Sequence, residues 1–372
     1  MPDWRGDAHA FIADVERRVR LGWNRAERVF DRGAYAPTGY RGYGTRDRAL
    51  VLGRVVQVDE TAPELAVTSR LRNLAAAITR IESDPLPNAR VRVSVGGAPG
   101  DTREIVADDE GFFREWIGAR EPLPEGAWSP VRLSLANGPE TIAQVLVPPP
   151  GAAFGVISDM DDTVLQSNVA SLLRAARLVL LENAKTRMPF PGVAAFYRAL
   201  QGGTSLTGPN PIFYVSKSPW NLYDVIAQFL ERQEIPMGPL ILRDWDLVPE
   251  RATKDFKTRE IEEILQTYPG LPFILVGDTT QKDPEIYRAV IKAFPGRVRA
   301  VYIRNVAAGV ERSEAVKKLA IEVADEGATL ILADDTLAMA RHAADQGWID
   351  PLALAGIGTD KREDEGTKEG KV

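Results

Sequence analysis

The chain contains no cysteine and only two histidines, His9 and His342. The first absence excludes disulfides and thiolate zinc sites. The second excludes a multi-histidine metal centre and argues against a Ser-His-Asp triad. Long apolar runs are missing too: the stretch 178–181, among the longest, falls far short of a membrane span. No apolar leader opens the chain, where Asp3, Arg5 and Asp7 stand instead. Nor is there an excess of positive charge. With 52 acidic residues against 46 basic ones, no general field for nucleic acid is present. These absences lead to the expectation of a soluble, cytoplasmic protein, at most peripheral to a membrane and without a nucleic-acid partner.

At 372 residues the chain is too long for one ordinary core, so two domains are expected. Residues 8–32 read as an amphipathic helix, because Phe11, Ile12, Val15, Val19, Trp23, Ala26 and Phe30 recur at helical steps. Its polar face is rich in arginine. Residues 1–33 nevertheless balance seven Arg against six acids, which favours a helix docked on protein over one lying on anionic lipid.

Between 37 and 150 the pattern becomes that of short strands, at 50–56, 90–95, 102–107, 112–117, 131–135 and 141–147. Gly96-Gly97, Asp109-Glu110-Gly111 and Asn137-Gly138 supply turns between them. This spacing predicts an antiparallel β-sandwich. A helix or insertion is expected over 62–82, and the run Pro148-Pro149-Pro150-Gly151 marks a boundary. From 151 onward strands and helices alternate, with buried strands expected at 154–158, 211–216, 239–242, 272–277, 297–303 and 328–332. Helices are expected at 222–233, 258–267 and 284–293. The fold class expected is therefore α/β, a parallel sheet with helices on both faces, preceded by the sandwich and the N-terminal helix. The expected domains are 1–36, 37–150 and 151–350, followed by a charged, disordered tail over 351–372.

The residues suited to chemistry lie where this sheet would present them, beyond the carboxyl ends of its strands. In FGVISDMDDTV, Asp159 and Asp161 follow the first strand. Ser216 follows the second and Lys257 opens a helix. Asp278 follows the strand FILVG, with Asp283 five residues on. A carboxylate is a competent nucleophile for phosphorus when the incoming dianion is neutralised. Hard oxygen ligands suit Mg²⁺. A hydroxyl at a strand end and a lysine complete a phosphoryl-binding set. Each residue alone is as well explained by a turn, a helix cap or the surface; their conjunction in order and position is not.

That conjunction resembles the haloacid dehalogenase superfamily. More narrowly, YVSKSPWN, GDTTQKDPEIY and the late DDTLAMARHAADQGWI resemble the phosphatidate phosphatases of the actin-patch type and their bacterial relatives. PTGYRGYGT, ahead of the sandwich, is similar to the bacterial members. The resemblance implies a Rossmann-like sheet with a minimal cap over 151–350. It implies Asp159 as nucleophile and Asp161 as general acid/base. Mg²⁺ would be bound by the Asp159 and Asp278 side chains and the Asp161 carbonyl. Ser216 and Lys257 would hold the phosphoryl group, and Asp283 would support the metal shell. Lys254 is the alternative lysine, but the spacing to Ile261, Ile264 and Leu265 favours Lys257. The chain departs from its relatives at Phe256, where they place histidine, and at Gln166-Ser167.

Only 57 residues separate Asp159 from Ser216, and 41 separate Ser216 from Lys257, so neither gap holds a large cap. An open site suits a phosphate on a large object. The expected substrate is phosphatidate or a related lipid phosphate, on the resemblance. The alternatives are a phosphatase for soluble or protein phosphoesters and a non-catalytic module sensing metal or phosphate. The apolar residues over 172–190 would then either contact acyl chains or pack as ordinary helices.

Overall fold

A computed structural model describes residues 34–58, 85–96, 102–136, 138–160, 192–204, 208–243, 256–279, 282–305 and 310–369. The expected helices at 8–32 and 62–82, the apolar stretch 172–190, Gln166-Ser167 and Lys254 lie outside the described residues.

Eight strands come first: β1 (Ala34–Gly39), β2 (Gly42–Tyr43), β3 (Arg48–Val58), β4 (Arg90–Val95), β5 (Arg103–Val106), β6 (Phe112–Gly118), β7 (Ala127–Ser134) and β8 (Thr141–Val147). They make two sheets, ordered β1-β3-β6 and β2-β8-β7-β4-β5. All pairings are antiparallel except β2 with β8.

The sequence of β3 explains the layering. Residues 49–56 are buried without alternation, as in a strand covered on both faces. Ala49, Val51 and Val55 enter a core shared with Val91, Val93, Val131, Leu133 and Val145 of the five-stranded sheet. Leu50 and Leu52, on the other face, enter the core of the following α/β part. Strand β6 divides in the same way: Phe113 and Ile117 point to the first core, while Phe112 and Trp116 pack on the second. The three-stranded sheet is thus an inner layer with a partner on each side.

The second part holds six parallel strands: β9 (Gly155–Asp159), β10 (Ile212–Pro219), β11 (Leu240–Arg243), β12 (Phe273–Asp278), β13 (Val298–Arg304) and β14 (Thr329–Ala333). Their order is β11-β10-β9-β12-β13-β14. The chain starts in the middle, builds outward to one edge, then returns beside β9 and builds to the other. Its switch point lies between β9 and β12, the place where such sheets open a crevice for ligands. The helices are α1 (Val193–Gly202), α2 (Tyr223–Arg232), α3 (Phe256–Thr267), α4 (Asp283–Ala293), α5 (Val310–Asp325), α6 (Thr336–Asp345) and α7 (Ala353–Glu369). Both faces are covered, as neighbouring residues of β10 record. Phe213 meets Tyr43 and, beyond the end of α3, Tyr268, each 5.6 Å away between ring centres. Tyr214 points the opposite way and stacks on Tyr197 of α1 at 6.5 Å. Among the described residues no helix is long and apolar enough to cross a membrane.

One expectation is corrected. The tail read as charged and disordered forms α7 over Ala353–Glu369. Its composition is polar, but its first turns carry apolar residues that reach the core: Ile357 is 1% exposed, and Ala353 and Leu354 pack beside it. Lys361 Nζ bridges to Asp335 Oδ2 at 2.6 Å, and Asp360 Oδ2 accepts from Arg198 at 3.1 Å. These contacts tie α7 to α6 and α1.

Candidate active site

Strand pairing brings three of the expected residues to one end of the sheet. Val215 lies opposite Asp159, so Ser216 sits one step beyond it on the neighbouring strand. On the other side Val276 lies opposite Ser158, which carries Asp278 to the same rim. Helix α3 then delivers Lys257 from its first turn, and α4 delivers Asp283 from its first residue.

The lysine ties these elements together. Lys257 Nζ is 2.7 Å from Asp159 Oδ1 and 2.9 Å from Asp283 Oδ1. All three side chains are buried, at 1%, 3% and 0% exposure. Charges so deeply buried persist only when paired and hydrogen-bonded, and here each carboxylate has a further donor. The backbone N–H of Met160 donates to Asp159 Oδ1 at 2.8 Å, and that of Asp278 donates to Asp283 Oδ2 at 3.3 Å. Asp283 therefore fixes the lysine and the end of β12 at once. Ser216 is fully buried, and its Oγ accepts the N–H of Ser218, two residues on in β10, at 3.0 Å.

Gly277 permits this arrangement. A Cβ there would stand 2.6 Å from Asp283 Oδ2 and 2.9 Å from its Cβ. Gly277→Ala should push Asp283 off the lysine and cost about 1–3 kcal/mol through overpacking. A thermal-unfolding midpoint equal to wild type would show that Asp283 needs no such close approach.

Of the expected site residues, Asp159, Ser216, Lys257, Asp278 and Asp283 are brought together. Asp161 lies outside the described residues. Other residues were not foreseen. Ser158 Oγ donates to the Asp159 carbonyl at 2.9 Å and shares a 2.7 Å hydrogen bond with the Tyr197 hydroxyl, whose pKa burial pushes up. Tyr287 OH donates to the Val276 carbonyl at 2.8 Å and braces β12. Arg304 lies opposite Asp278 in the strand register. Only Gly277 left a trace in the sequence, as a glycine inside an apolar strand, which marks a bulge or a close approach. Among the described residues no group of three or more His, Asp or Glu side chains is arranged to hold a metal ion.

Residues 154–305 match the family described as the catalytic domain of phosphatidate phosphatase APP1. Phosphatidate phosphatase APP1 of Saccharomyces cerevisiae is 30% identical over 238 residues, covering 61% of this chain and 38% of the yeast protein. An uncharacterized protein of Schizosaccharomyces pombe is 26% identical over 157 residues, covering 41% of this chain and 25% of its own length. The chain thus spans well under half of the curated relatives it matches. Among solved structures, the PilB minor pilin from Streptococcus sanguinis aligns over 73% of this chain and 89% of its own, at 10% identity and a TM-score of 0.27. A likeness that weak carries no argument. The matching segment begins with β9 and ends with β13, so it contains Asp159, Ser216, Lys257, Asp278 and Asp283 together.

Proposed function

We propose that the protein is an Mg²⁺-dependent phosphomonoesterase that works through an aspartyl-phosphate, with phosphatidate or a related lipid phosphate as substrate. The observation that carries this reading is the convergence of Asp159, Lys257 and Asp283 at the switch point, within the segment that matches the APP1 catalytic domain. In this reading 151–350 is a haloacid dehalogenase-like domain with a Rossmann-like sheet and a minimal cap, and 37–150 is an accessory β-sandwich.

Asp159 attacks phosphorus through a carboxylate oxygen. The bond from phosphorus to the leaving oxygen breaks, and Asp161 supplies the proton to that oxygen. Asp161 then takes a proton from water, the resulting hydroxide attacks phosphorus, and the bond to Asp159 breaks to release orthophosphate. Ser216 and Lys257 hold the phosphoryl oxygens, and Lys257 offsets their charge in a water-poor setting. Asp159 and Asp278 are the side chains suited to Mg²⁺, with the Asp161 carbonyl as a third donor. Two carboxylates with water and substrate oxygens are a usual set for this cation. When bound, the ion supplies charge neutralisation for the approach of one anion to another.

The test is phosphate release from phosphatidate vesicles and from a panel of soluble phosphoesters, with Mg²⁺ and with excess chelator. Release from vesicles that stops on chelation and returns with Mg²⁺ is expected. Release from soluble esters alone would keep the chemistry and discard the lipid. No release from any substrate would leave a metal- or phosphate-sensing module.

A further inference from the structure

The mechanism makes no use of the ion pairs that join the two parts of the molecule, yet these pairs end on the helix that presents Lys257. Arg114 and Trp116 are two apart on β6, so their side chains leave the same face. That face meets α3. Arg114 bonds Glu260 Oε2 at 2.8 Å and also pairs with Glu263. Trp116 Nε1 donates to Glu263 Oε1 at 2.7 Å, and the Arg48 guanidinium lies 4.5 Å over the Trp116 ring. Glu260 is one turn beyond Lys257 in α3, and Glu263 lies a further turn along.

Arg114 and Glu263 are each about one-third exposed, at 35% and 32%, but the Glu260 end of the cluster is buried. Glu260 is 10% exposed, and burial raises its carboxyl pKa despite the pull of Arg114. Burial works against the Arg114 charge too, but Glu260 and Glu263 outweigh it and hold the guanidinium above its ordinary pKa. A partly open groove borders this side of α3. A cavity of about 350 Å³ lies between β6 and α3, lined by Tyr40, Phe112, Trp220 and Phe256 together with Arg114 and Glu260. Charge-assisted and bidentate contacts are directional, so along this groove they add a defined position to what packing supplies.

We propose that Arg114, supported by Trp116, is a positioning residue for Lys257: the antiparallel domain clamps α3 through Glu260 and Glu263 and so sets the lysine between Asp159 and Asp283. The proposal rests on the phosphatase reading. It makes the antiparallel domain a working part of the active site.

The test measures kcat and KM on p-nitrophenyl phosphate with Mg²⁺, beside urea unfolding, for the full chain. Arg114→Met removes the charge at similar length, and Arg114→Lys keeps it without the planar fork. Val93→Ala, in the core between the two sheets, loosens the same domain without touching α3. Arg114→Met should lower kcat about 10- to 100-fold, as a misplaced catalytic group does, with KM within about twofold. Arg114→Lys should recover part of the loss, and Val93→Ala should leave kcat unchanged at temperatures where it stays folded. Should Arg114→Met fail to fold, Glu263→Gln keeps the Trp116 acceptor and should lower kcat severalfold. A kcat at the wild-type level in the folded Arg114 or Glu263 variants, or an equal loss in Val93→Ala, overturns the proposal while leaving the phosphatase reading intact. A wild type that hydrolyses nothing overturns both.

Discussion

Asp159→Asn should abolish phosphate release, by about 10³-fold or more, while the protein stays folded. The amide has no negative oxygen to attack phosphorus, so the covalent route closes. The fold should survive because Asp159 is only one of the two carboxylates on Lys257. In the variant the ammonium keeps Asp283 at 2.9 Å, and the amide oxygen still accepts from it and from the Met160 N–H. The cost should stay near 1–2 kcal/mol, the scale of weakening a charge-assisted hydrogen bond. Two measurements check this. Acid-quenched wild type, mixed with labelled substrate, should carry label on protein, and the variant none. Urea unfolding should give nearly the same midpoint for both. Near-normal turnover by the variant would remove Asp159 as nucleophile. Lost turnover together with lost folding would make it a structural residue.

Much of this arrangement is legible in the sequence, and the unread parts share a cause. The six parallel strands were expected within a few residues because each is built on a short apolar run. Strands β4 and β8 match their expected limits for a similar reason, since alternation or flanking turns bound them. Strand β1 was not foreseen, because Pro37 and Gly39 break any strand pattern. Its position explains both: β1 is an edge strand of its sheet, where proline is tolerated. At Gly39 a Cβ would stand only 2.3 Å from the Ala143 Cβ of β8, so the close approach requires glycine. Strand β10 runs three residues past Ser216 because its pairing with β11 shifts register between Val215 and Pro219. Such irregularity has no signature in composition. In α7 the polar sequence argued for disorder, and the packing of Ala353, Leu354 and Ile357 decided otherwise.

The site divides in the same way. Asp159 and Asp278 were legible because a strand end is a local feature; Ser216, read as following its strand, lies inside β10, one residue past its last pair with β9. Asp283 read as a plain helix start, which it also is. That it holds Lys257, that Gly277 makes room for it, and that Glu260 and Glu263 reach across to β6 depend on elements distant in the chain. Local patterns place residues on elements; only the packing of α3 against three neighbours shows which residues act together.

The largest stability effect expected is that of Lys257→Met. Methionine matches the length of the lysine stem, so little packing is lost. The charge is lost entirely. It leaves the Asp159 and Asp283 carboxylates, 3% and 0% exposed, facing each other without a cation. Removing one partner of a buried ion pair costs about 3–5 kcal/mol, because the remaining charge stays in a poorly solvated place. Here two remain, and their repulsion adds to the desolvation. The urea midpoint should fall accordingly, and turnover should be lost with it. Lys257→Arg should not rescue turnover, since a planar guanidinium cannot take the place of a compact ammonium between two carboxylates 2.7 and 2.9 Å away. The cause can be separated from lost packing by a second substitution. Lys257→Met combined with Asp283→Asn removes one of the stranded charges and should recover a substantial part of the stability, with no return of activity. If the double variant is as unstable as the sum of the two single ones, the cost lies in packing and not in charge.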